Sequence, residues 1–558
     1  MCACNWDRDN GKAGQQGAGQ LPPRTRYAAQ QTVRNNRRTR AEGIQRQVCC
    51  VCQGRLIITL KDIAATELSE LVTRSGSHKV RKVSDLEYRI DQNSTRGMKV
   101  PVTIYANESL ISKMVTDRTI DQAANVATLP GVMKHVVVLP DGHEGYGFPV
   151  GGVAATDIEE GVISPGGVGY DINCGVRLMR TNLKESDLRP RLKDLVNELF
   201  KSIPSGVGSE GAIRLTRPEL DELLVEGVGW AVRHGYGTED DADVCEEGGM
   251  MAGADSANVS DTARKRGASQ LGSLGSGNHF LEVQKVDRIF DERAAKAMGI
   301  NQVGQLTVLI HCGSRGFGHQ ICTDYLRVSE SALRKYGLTL ADRELACVPN
   351  NSKEGEYYRK AMYSALNFAW ANRQMITHWT RKTFERVFKS REGGLEMDLV
   401  YDVAHNIAKV ERHRIDGEGS RDLVVHRKGA TRAFPAGMEQ VPGKYRSIGQ
   451  PVIIPGSMGT ASWILLGGQK SLDLSFGSTA HGAGRTMSRS AAKRNYTAEG
   501  VKSGLDSKGI YVRALTREGV VEETPEAYKD VDAVADVSHS LGIATKVVRL
   551  VPIGVIKG

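Results

Sequence analysis

The chain has 558 residues, 40% of them hydrophobic and 25% charged. That balance belongs to a globular chain with room for two or three average domains, or for one large one. No apolar run approaches the roughly 18 residues of a membrane helix, and the opening MCACNWDRDNGK has no apolar stretch of the secretory kind, so the expected location is cytoplasmic. The formal net charge of +9 is spread too thinly over this length to name an anionic partner.

Residues 1–83 read differently from the rest. They are rich in Arg, Gln and Gly, carry the basic stretch RTRYAAQQTVRNNRRTR (Arg24–Arg40), and show little periodicity before IITLKDIAATELSELV (Ile57–Val72), a candidate short helix. Five of the ten cysteines lie here, with Cys49, Cys50 and Cys52 in one cluster. The cluster lacks the paired CxxC spacing of a zinc module, and the scatter of the others is no disulfide framework. The segment is expected to be a disordered or dispensable extension. No methionine stands between Met1 and Met98, so a translation start at Val83 is a further expectation.

From residue 84 to residue 558 the composition is evenly globular, and one large domain is expected. MKVPVTIYA (Met98–Ala106) reads as a strand. Thr216-Arg217-Pro218-Glu219 is a capping box with proline in the first turn; it opens a helix with Leu220, Leu223, Leu224 and Val228 on one face. Tyr358, Met362, Ala365, Ala369, Ile376, Trp379 and Val387 follow helical spacing over a long segment and read as core. TVLI and LVYDVA read as buried strands. Helices and strands mix without a regular βαβ alternation, which makes the expected class α+β.

GYDINCGVR (Gly169–Arg177) sets Asp171 and Cys174 among polar neighbours rather than in an apolar core. Of thirteen histidines, His413 in ERHR reads as solvent-facing and His378 as packed or half exposed. Four others stand at the ends of apolar runs or beside glycines: His279, His311, His405 and His481. Each alone reads as an ordinary core or loop residue. Together, Asp171, Cys174, His279, His311 and His405 offer one carboxylate, one thiol and three imidazoles. That is too many donors for one tetrahedral ion and suits two ions if the thiolate bridges them, an arrangement able to hold phosphate oxygens through a phosphoryl transfer. Ligand softness points to zinc, with manganese or cobalt behind it. HGAGR around His481 and PGSMGTAS (Pro455–Ser462) are Gly-rich loops that can present backbone N–H groups to an anion; neither is a Walker loop or a GxGxxG. Arg315, Arg427, Lys428 and Arg485 are candidate phosphate or RNA contacts, with surface charge the equal alternative.

GYDINCGVR, LGSLGSGNHFLE, IHCGSRGFGHQ, YDVAHNIAKVE, VHRKGATRAFP, PGSMGTASW, GSTAHGAGR and the terminal IGVIKG, in this order and with PDGHEGYGFPVGGVAA (Pro140–Ala155) ahead of them, resemble the RtcB family of RNA ligases. The resemblance runs from Ser84 to Gly558. It implies joining of RNA 2′,3′-cyclic phosphate or 3′-phosphate ends to 5′-hydroxyl ends, in tRNA splicing and RNA repair, with GTP and two Mn2+. Under it, Asp171, Cys174 and His279 hold one ion and Cys174, His311 and His405 the other. His481 takes GMP as a phosphoramidate and passes it to the RNA 3′-phosphate. The guanylate site is implied to comprise Asn278, His279, Phe280, Leu281, Glu282, His405, Asn406, Pro455, Gly456, Ser457, Met458, Ser462, His481, Gly482, Ala483, Gly484, Tyr528 and Lys557. Glu282 faces the guanine edge and Tyr528 is available to stack on the base. On metal identity the resemblance overrides softness.

Two other classes fit parts of this pattern. A binuclear metal-dependent phosphodiesterase would use the same five donors but has no role for His481. A non-catalytic RNA-binding subunit would rely on the basic N-terminal stretch. The sequence leaves open the physiological RNA, the oligomeric state and the need for an archease-type activator.

Overall fold

A computed structural model describes residues 71–92 and 97–558. The Cys49–Cys52 cluster, the basic stretch and most of the expected Ile57–Val72 helix lie outside the described residues. Leu71–Val72, the end of that expected helix, form a strand instead, paired with Lys79–Lys82 across a tight turn at Gly76. The expected α+β class holds: helices pack against two large, mostly antiparallel sheets.

The first sheet runs, in spatial order, through Leu71–Val72, Lys79–Lys82, Glu87–Ile90, Val102–Tyr105, Val136–His143, Val150–Asp157, Gly419–Lys428 and Asn406–Ile415. The second runs through Leu399–Ala404, Gly175–Lys184, Gln305–Cys312, Phe280–Ile289, Ala544–Lys557, Ser462–Gly467 and Pro451–Ile454, with Tyr511–Ala514 parallel to the Ala544–Lys557 strand. The central strands are buried on both faces. VVVLPDGH (Val136–His143) and QLTVLIHC (Gln305–Cys312) have no exposed position, which is why their sequences show runs of apolar residues rather than alternation.

The helical stripe from Tyr358 to Val387 lies on one 36-residue helix, Lys353–Phe388. Ser352 caps it by accepting from the Gly355 N–H, Glu354 and Glu356 sit in its first turn, and Lys389 ends it in the left-handed conformation. Its middle is buried all round and packs on the Gln305–Cys312 strand. The capping box at Thr216 is present. The helix it opens stops at Glu226, because Gly227 adopts a φ of +57°, and Val228 begins a second short helix.

His413 corrects the sequence reading. It is buried, with Nε2 3.1 Å from a carboxylate oxygen of Glu411 and its ring edge-on to Phe476. ERHR looks solvent-facing because the rings packed against His413, Phe434 and Phe476, come from elsewhere in the chain. His378 is partly buried, as expected. Among the described residues no helix is long and apolar enough to cross a membrane.

Trp370 is fully buried at the centre of the long helix, whereas Trp379 is only partly covered. Trp370→Ala is expected to lower stability by about 3–5 kcal/mol, and Trp379→Ala by clearly less. Urea denaturation followed by circular dichroism measures both; equal losses would contradict the described packing.

Candidate active site

Strand geometry brings the five donors to one place. His311 stands next to last in the Gln305–Cys312 strand, and His405 directly follows the Leu399–Ala404 strand. His279 precedes the Phe280–Ile289 strand, and Cys174 precedes the Gly175–Lys184 strand, which lies between the strands of His405 and His311. Cys174 is held by its backbone: its N–H donates to the Asp171 carbonyl at 2.9 Å, and the His405 N–H donates to the Cys174 carbonyl at 2.9 Å.

Among the described residues two groups of side chains could hold a metal ion, Asp171–Cys174–His279 and Cys174–His311–His405, and they share the sulfur. Cys174 Sγ is 3.5 Å from His279 Nε2 and 3.3 Å from His311 Nε2. His311 Nε2 and His405 Nε2 are 3.3 Å apart, and His279 Nε2 donates to Asp171 Oδ2 at 2.8 Å. Ligands bonded to one tetrahedral ion at about 2.0–2.3 Å stand about 3.3–3.7 Å from each other, so the Cys174–His279, Cys174–His311 and His311–His405 spacings fit, whereas the 2.8 Å Asp171–His279 hydrogen bond has to open for both to ligate one ion. So does the chemistry of the donors. Burial, then the neighbouring imidazoles, push His311 and His405 well below the ordinary histidine range, leaving neutral rings with lone pairs to give. Burial works against a charge on His279, but Cys312 and Asp171 outweigh it and raise its pKa. Burial, with Asp171 beside it, lifts the Cys174 thiol to about 12; only a cation at the sulfur would make it a thiolate here.

His481 lies beside this cluster, its ring 4.8 Å from that of His405. Asp141 Oδ2 accepts from His481 Nδ1 at 2.5 Å, from the His481 N–H at 3.0 Å and from the Gly482 N–H at 3.3 Å. A carboxylate can only accept, so the ring proton sits on Nδ1 and the free lone pair on Nε2. Gly484 lets the loop fold this closely: its φ is +71°, and a Cβ there would stand 2.2 Å from the Asp141 carbonyl oxygen.

A narrow pocket of about 30 Å³ adjoins His481. Asn278, Phe280, His311, Pro455, Gly456, Ser457, Met458, Gly482, Ala483, Gly484, Glu523, Tyr528 and Lys557 line it with His481. Most of the residues expected at a nucleotide are therefore together. Glu282 and Ser462 lie beneath the lining, both accepting from Gln284 Nε2, at 2.7 and 3.0 Å; Glu282 Oε1 has no partner. Leu281 points into the core. Asn406 is occupied by the backbone, donating to the Asp171 carbonyl at 2.9 Å and accepting from the Gly429 N–H at 2.8 Å. Burial lowers Lys557 to about 8 against the pull of Glu523. Tyr528 is fastened by its hydroxyl to Glu523 and lies under the Arg485 guanidinium, 5.0 Å from the ring centre. A larger cavity, about 660 Å³, lies around Asp241, Arg381 and Lys382, away from these donors.

Of the four cations singled out in the sequence, only Arg485 borders the pocket, through Tyr528. Arg427 is buried in an ion pair with Glu411, at 2.6 Å. Lys428 donates to the carbonyls of Tyr146 and Phe148. Arg315 opens a helix with φ +56° and donates to Gly206, Ser209 and Ser273. Sequence reasoning missed Asp141 and Glu523. PDGH reads as a turn, yet it ends a buried strand; Glu523 sits in EETPEAY, which looks like solvated surface.

Fold and site thus describe a mixed α/β protein whose cleft holds two donor groups sharing one sulfur beside a Gly-rich pocket. The family model for the tRNA-splicing ligase RtcB matches residues 122–558. The chain is 57% identical over 479 residues to the tRNA-splicing ligase RtcB of Thermococcus kodakarensis, covering 86% of this chain and 99% of that protein. It is 57% identical over 480 residues to the protein of that name from Aeropyrum pernix, with the same coverage, and 55% identical over 479 residues to the one from Archaeoglobus fulgidus. The chain belongs to the RtcB family of tRNA-splicing ligases.

Burial raises the Glu282 carboxyl from 4.5 to about 8. Between those values the native state binds more protons than the unfolded chain. The contribution is full below the unfolded pKa and is lost as pH rises through the folded one. Glu282→Gln, which stays neutral, should flatten the decline in unfolding midpoint between about pH 5 and about pH 8.5; an unaltered slope would remove Glu282 as its source.

Proposed function

We propose that the chain is a GTP- and Mn2+-dependent RNA ligase that joins 2′,3′-cyclic phosphate or 3′-phosphate ends to 5′-hydroxyl ends in tRNA splicing and RNA repair. The single observation that carries this reading is a histidine, His481, fixed by Asp141 and set 4.8 Å ring to ring from a donor group built on the shared Cys174. A hydrolase site would leave that histidine and its pocket without a task.

Asp171, Cys174 and His279 would hold one cation, and Cys174, His311 and His405 the other. Two bound divalent cations supply Lewis acidity and neutralise phosphoryl charge. The chain does the rest. Asp141 keeps the proton on Nδ1, so His481 Nε2 attacks the α-phosphorus of GTP: an N–P bond forms, the bond to the β-phosphate oxygen breaks, and pyrophosphate leaves. A 2′,3′-cyclic end has first to be opened by water, its P–O2′ bond breaking, to leave a 3′-phosphate. A 3′-phosphate oxygen of the RNA then displaces Nε2 and takes the GMP. Finally the 5′-hydroxyl oxygen attacks the RNA phosphorus, loses its proton to solvent, and GMP departs. Lys557 lines the pocket, 3.4 Å from the His279 carbonyl, and its ammonium suits phosphate or base oxygens. Glu282, with its unpartnered Oε1, suits the N–H groups of a guanine edge. The pocket, about 30 Å³ here, has to widen to take a purine. The expected compartment is the cytoplasm, the partner is RNA, and an archease-type activator is the accessory protein the family resemblance suggests.

Incubation with α-labelled GTP and Mn2+, followed by denaturing electrophoresis, should leave label on the chain and none on His481→Ala. Label retained by the variant would defeat the assignment, and no label on either would favour the phosphodiesterase. The ligase domain is placed at residues 84–558, and a chain lacking residues 1–83 is expected to keep ligation within about threefold, since the hairpin it loses lies at the outer edge of the first sheet. Loss of RNA binding on that deletion would support the RNA-binding-subunit reading instead.

A further inference from the structure

The long helix carries one side chain that reaches every segment bearing the Cys174–His311–His405 donors. Arg373 is fully buried. Its Nη1 donates to the carbonyl of Asn173, next to Cys174, at 2.9 Å, and to the carbonyl of Cys312, next to His311, at 2.7 Å. Its Nη2 donates to Asn173 Oδ1 at 2.9 Å and to Asp402 Oδ1 at 2.8 Å, and its Nε donates to Asp402 Oδ2 at 2.9 Å. Asp402 lies on the Leu399–Ala404 strand that delivers His405.

We propose that Arg373 is the positioning residue that fixes the spacing of this donor group, acting on the backbone beside Cys174 and His311 and, through the Asp402 carboxylate, on the strand that delivers His405, never on the reacting atoms. The inference rests on the two-cation reading above. A guanidinium presents its donors in a rigid plane, which a lysine cannot imitate; here that plane ties three chain segments at fixed separations. Asn173 needs such a tie. Its φ is +51°, uncommon for a residue other than glycine, and its own Nδ2 donates to the Leu366 carbonyl on the same helix at 2.8 Å. Gly175 makes room for the approach: a Cβ there would stand 2.5 Å from the Val403 oxygen and 3.1 Å from Arg373 Nη1. Stability alone is a poor reason for the arrangement, because a buried ion cluster seldom exceeds a well-packed apolar one.

Arg177 supplies the internal comparison. It is equally buried and shares Asp402, Nε donating to Oδ2 at 2.6 Å. Its other donors go to Gln374, Thr377 and Cys245, and none of these bonds ends on a carbonyl beside a metal-donor residue.

The test uses the full-length protein titrated with Mn2+, with bound ions counted per chain and spin coupling between them read by electron paramagnetic resonance. Wild type is expected to bind two coupled ions, and Cys174→Ser to lose the coupling. Arg373→Lys keeps the charge and the reach to Asp402 but loses the fork; one ion should bind about 10–100-fold more weakly, with coupling lost and the other ion kept. Arg177→Lys disturbs the same cluster and should keep both affinities. The proposal is overturned if Arg373→Lys binds both ions as wild type does, or if Arg177→Lys weakens the same ion equally. A wild type with no coupled pair overturns the two-cation reading itself, and this inference with it. Should Arg373→Lys fail to fold, Asn173→Gly keeps the left-handed backbone and removes one acceptor of the fork: weaker binding of the same ion supports the proposal, and unchanged binding overturns it.

Discussion

Cys174 Sγ has an imidazole nitrogen 3.3 Å away on one side and another 3.5 Å away on the other, with a carboxylate behind the second and almost no exposure to water. Without a cation this is an unfavourable place. Two of the three rings are held neutral, the thiol is held protonated, and several lone pairs face each other with too few protons to share. The fold sustains it because strand and loop backbone holds Cys174, His311 and His405, while His279 and Asp171 hold each other through a side-chain bond. A site built this way exchanges stability for preorganisation: the groups need not move when charge arrives, so the free energy of cation binding is not spent on ordering them.

The same logic explains why so much buried charge lies behind the cleft. Arg177, Arg373 and Asp402 form one cluster; Lys409, Glu246, Glu247 and Arg432 form another, with Lys409 Nζ 2.6 Å from Glu246 and the Ala404 N–H donating to Glu246 at 2.8 Å. Ala404 immediately precedes His405, so both clusters end on the strand that carries that donor. Apolar packing fixes a surface to within its own softness. Directional, charge-assisted bonds fix a backbone more tightly, and a donor set spaced at 3.3 Å tolerates little drift.

Much of this was legible in the sequence. Histidines at the ends of apolar runs betrayed a cleft, because strand ends are where a buried backbone meets a ligand. The capping box, the long helical stripe and the strand at Val102–Tyr105 all followed from local pattern. What the sequence withheld was pairing at a distance. Arg427 reads as a phosphate contact or surface charge because its partner, Glu411, lies on the neighbouring strand, and His413 reads as solvated because the rings that cover it, Phe434 and Phe476, lie far along the chain. Asp141 and Glu523 carried no local signal, since a single acidic residue takes its meaning from what it faces. Arg373 was hidden within a stripe that read as core: a helix buried all round offers no polar face to mark the residue that matters.

The placing of Lys557 shows how far such a distance effect can reach. The Ala544–Lys557 strand pairs with Phe280–Ile289, and Lys557 lies opposite Phe280, with Val555 opposite Glu282. Lys557 Nζ accordingly stands over the Phe280 ring, 5.7 Å from its centre. That register depends on an irregularity: Pro552 faces Gln284 but Gly554 faces Val283, so Ile553 is an extra residue on its strand. Were Ile553 paired in regular register with Val283 instead of bulged, Ile556 would face Phe280 and Lys557 would fall on the opposite side of the sheet, because the side-chain period of a strand is two. Gly554, just past the bulge, lets the helix behind approach the strand, since a Cβ there would stand 2.6 Å from Val196. Lys557 therefore reaches the pocket only because a bulge upstream of it sets the phase of the strand.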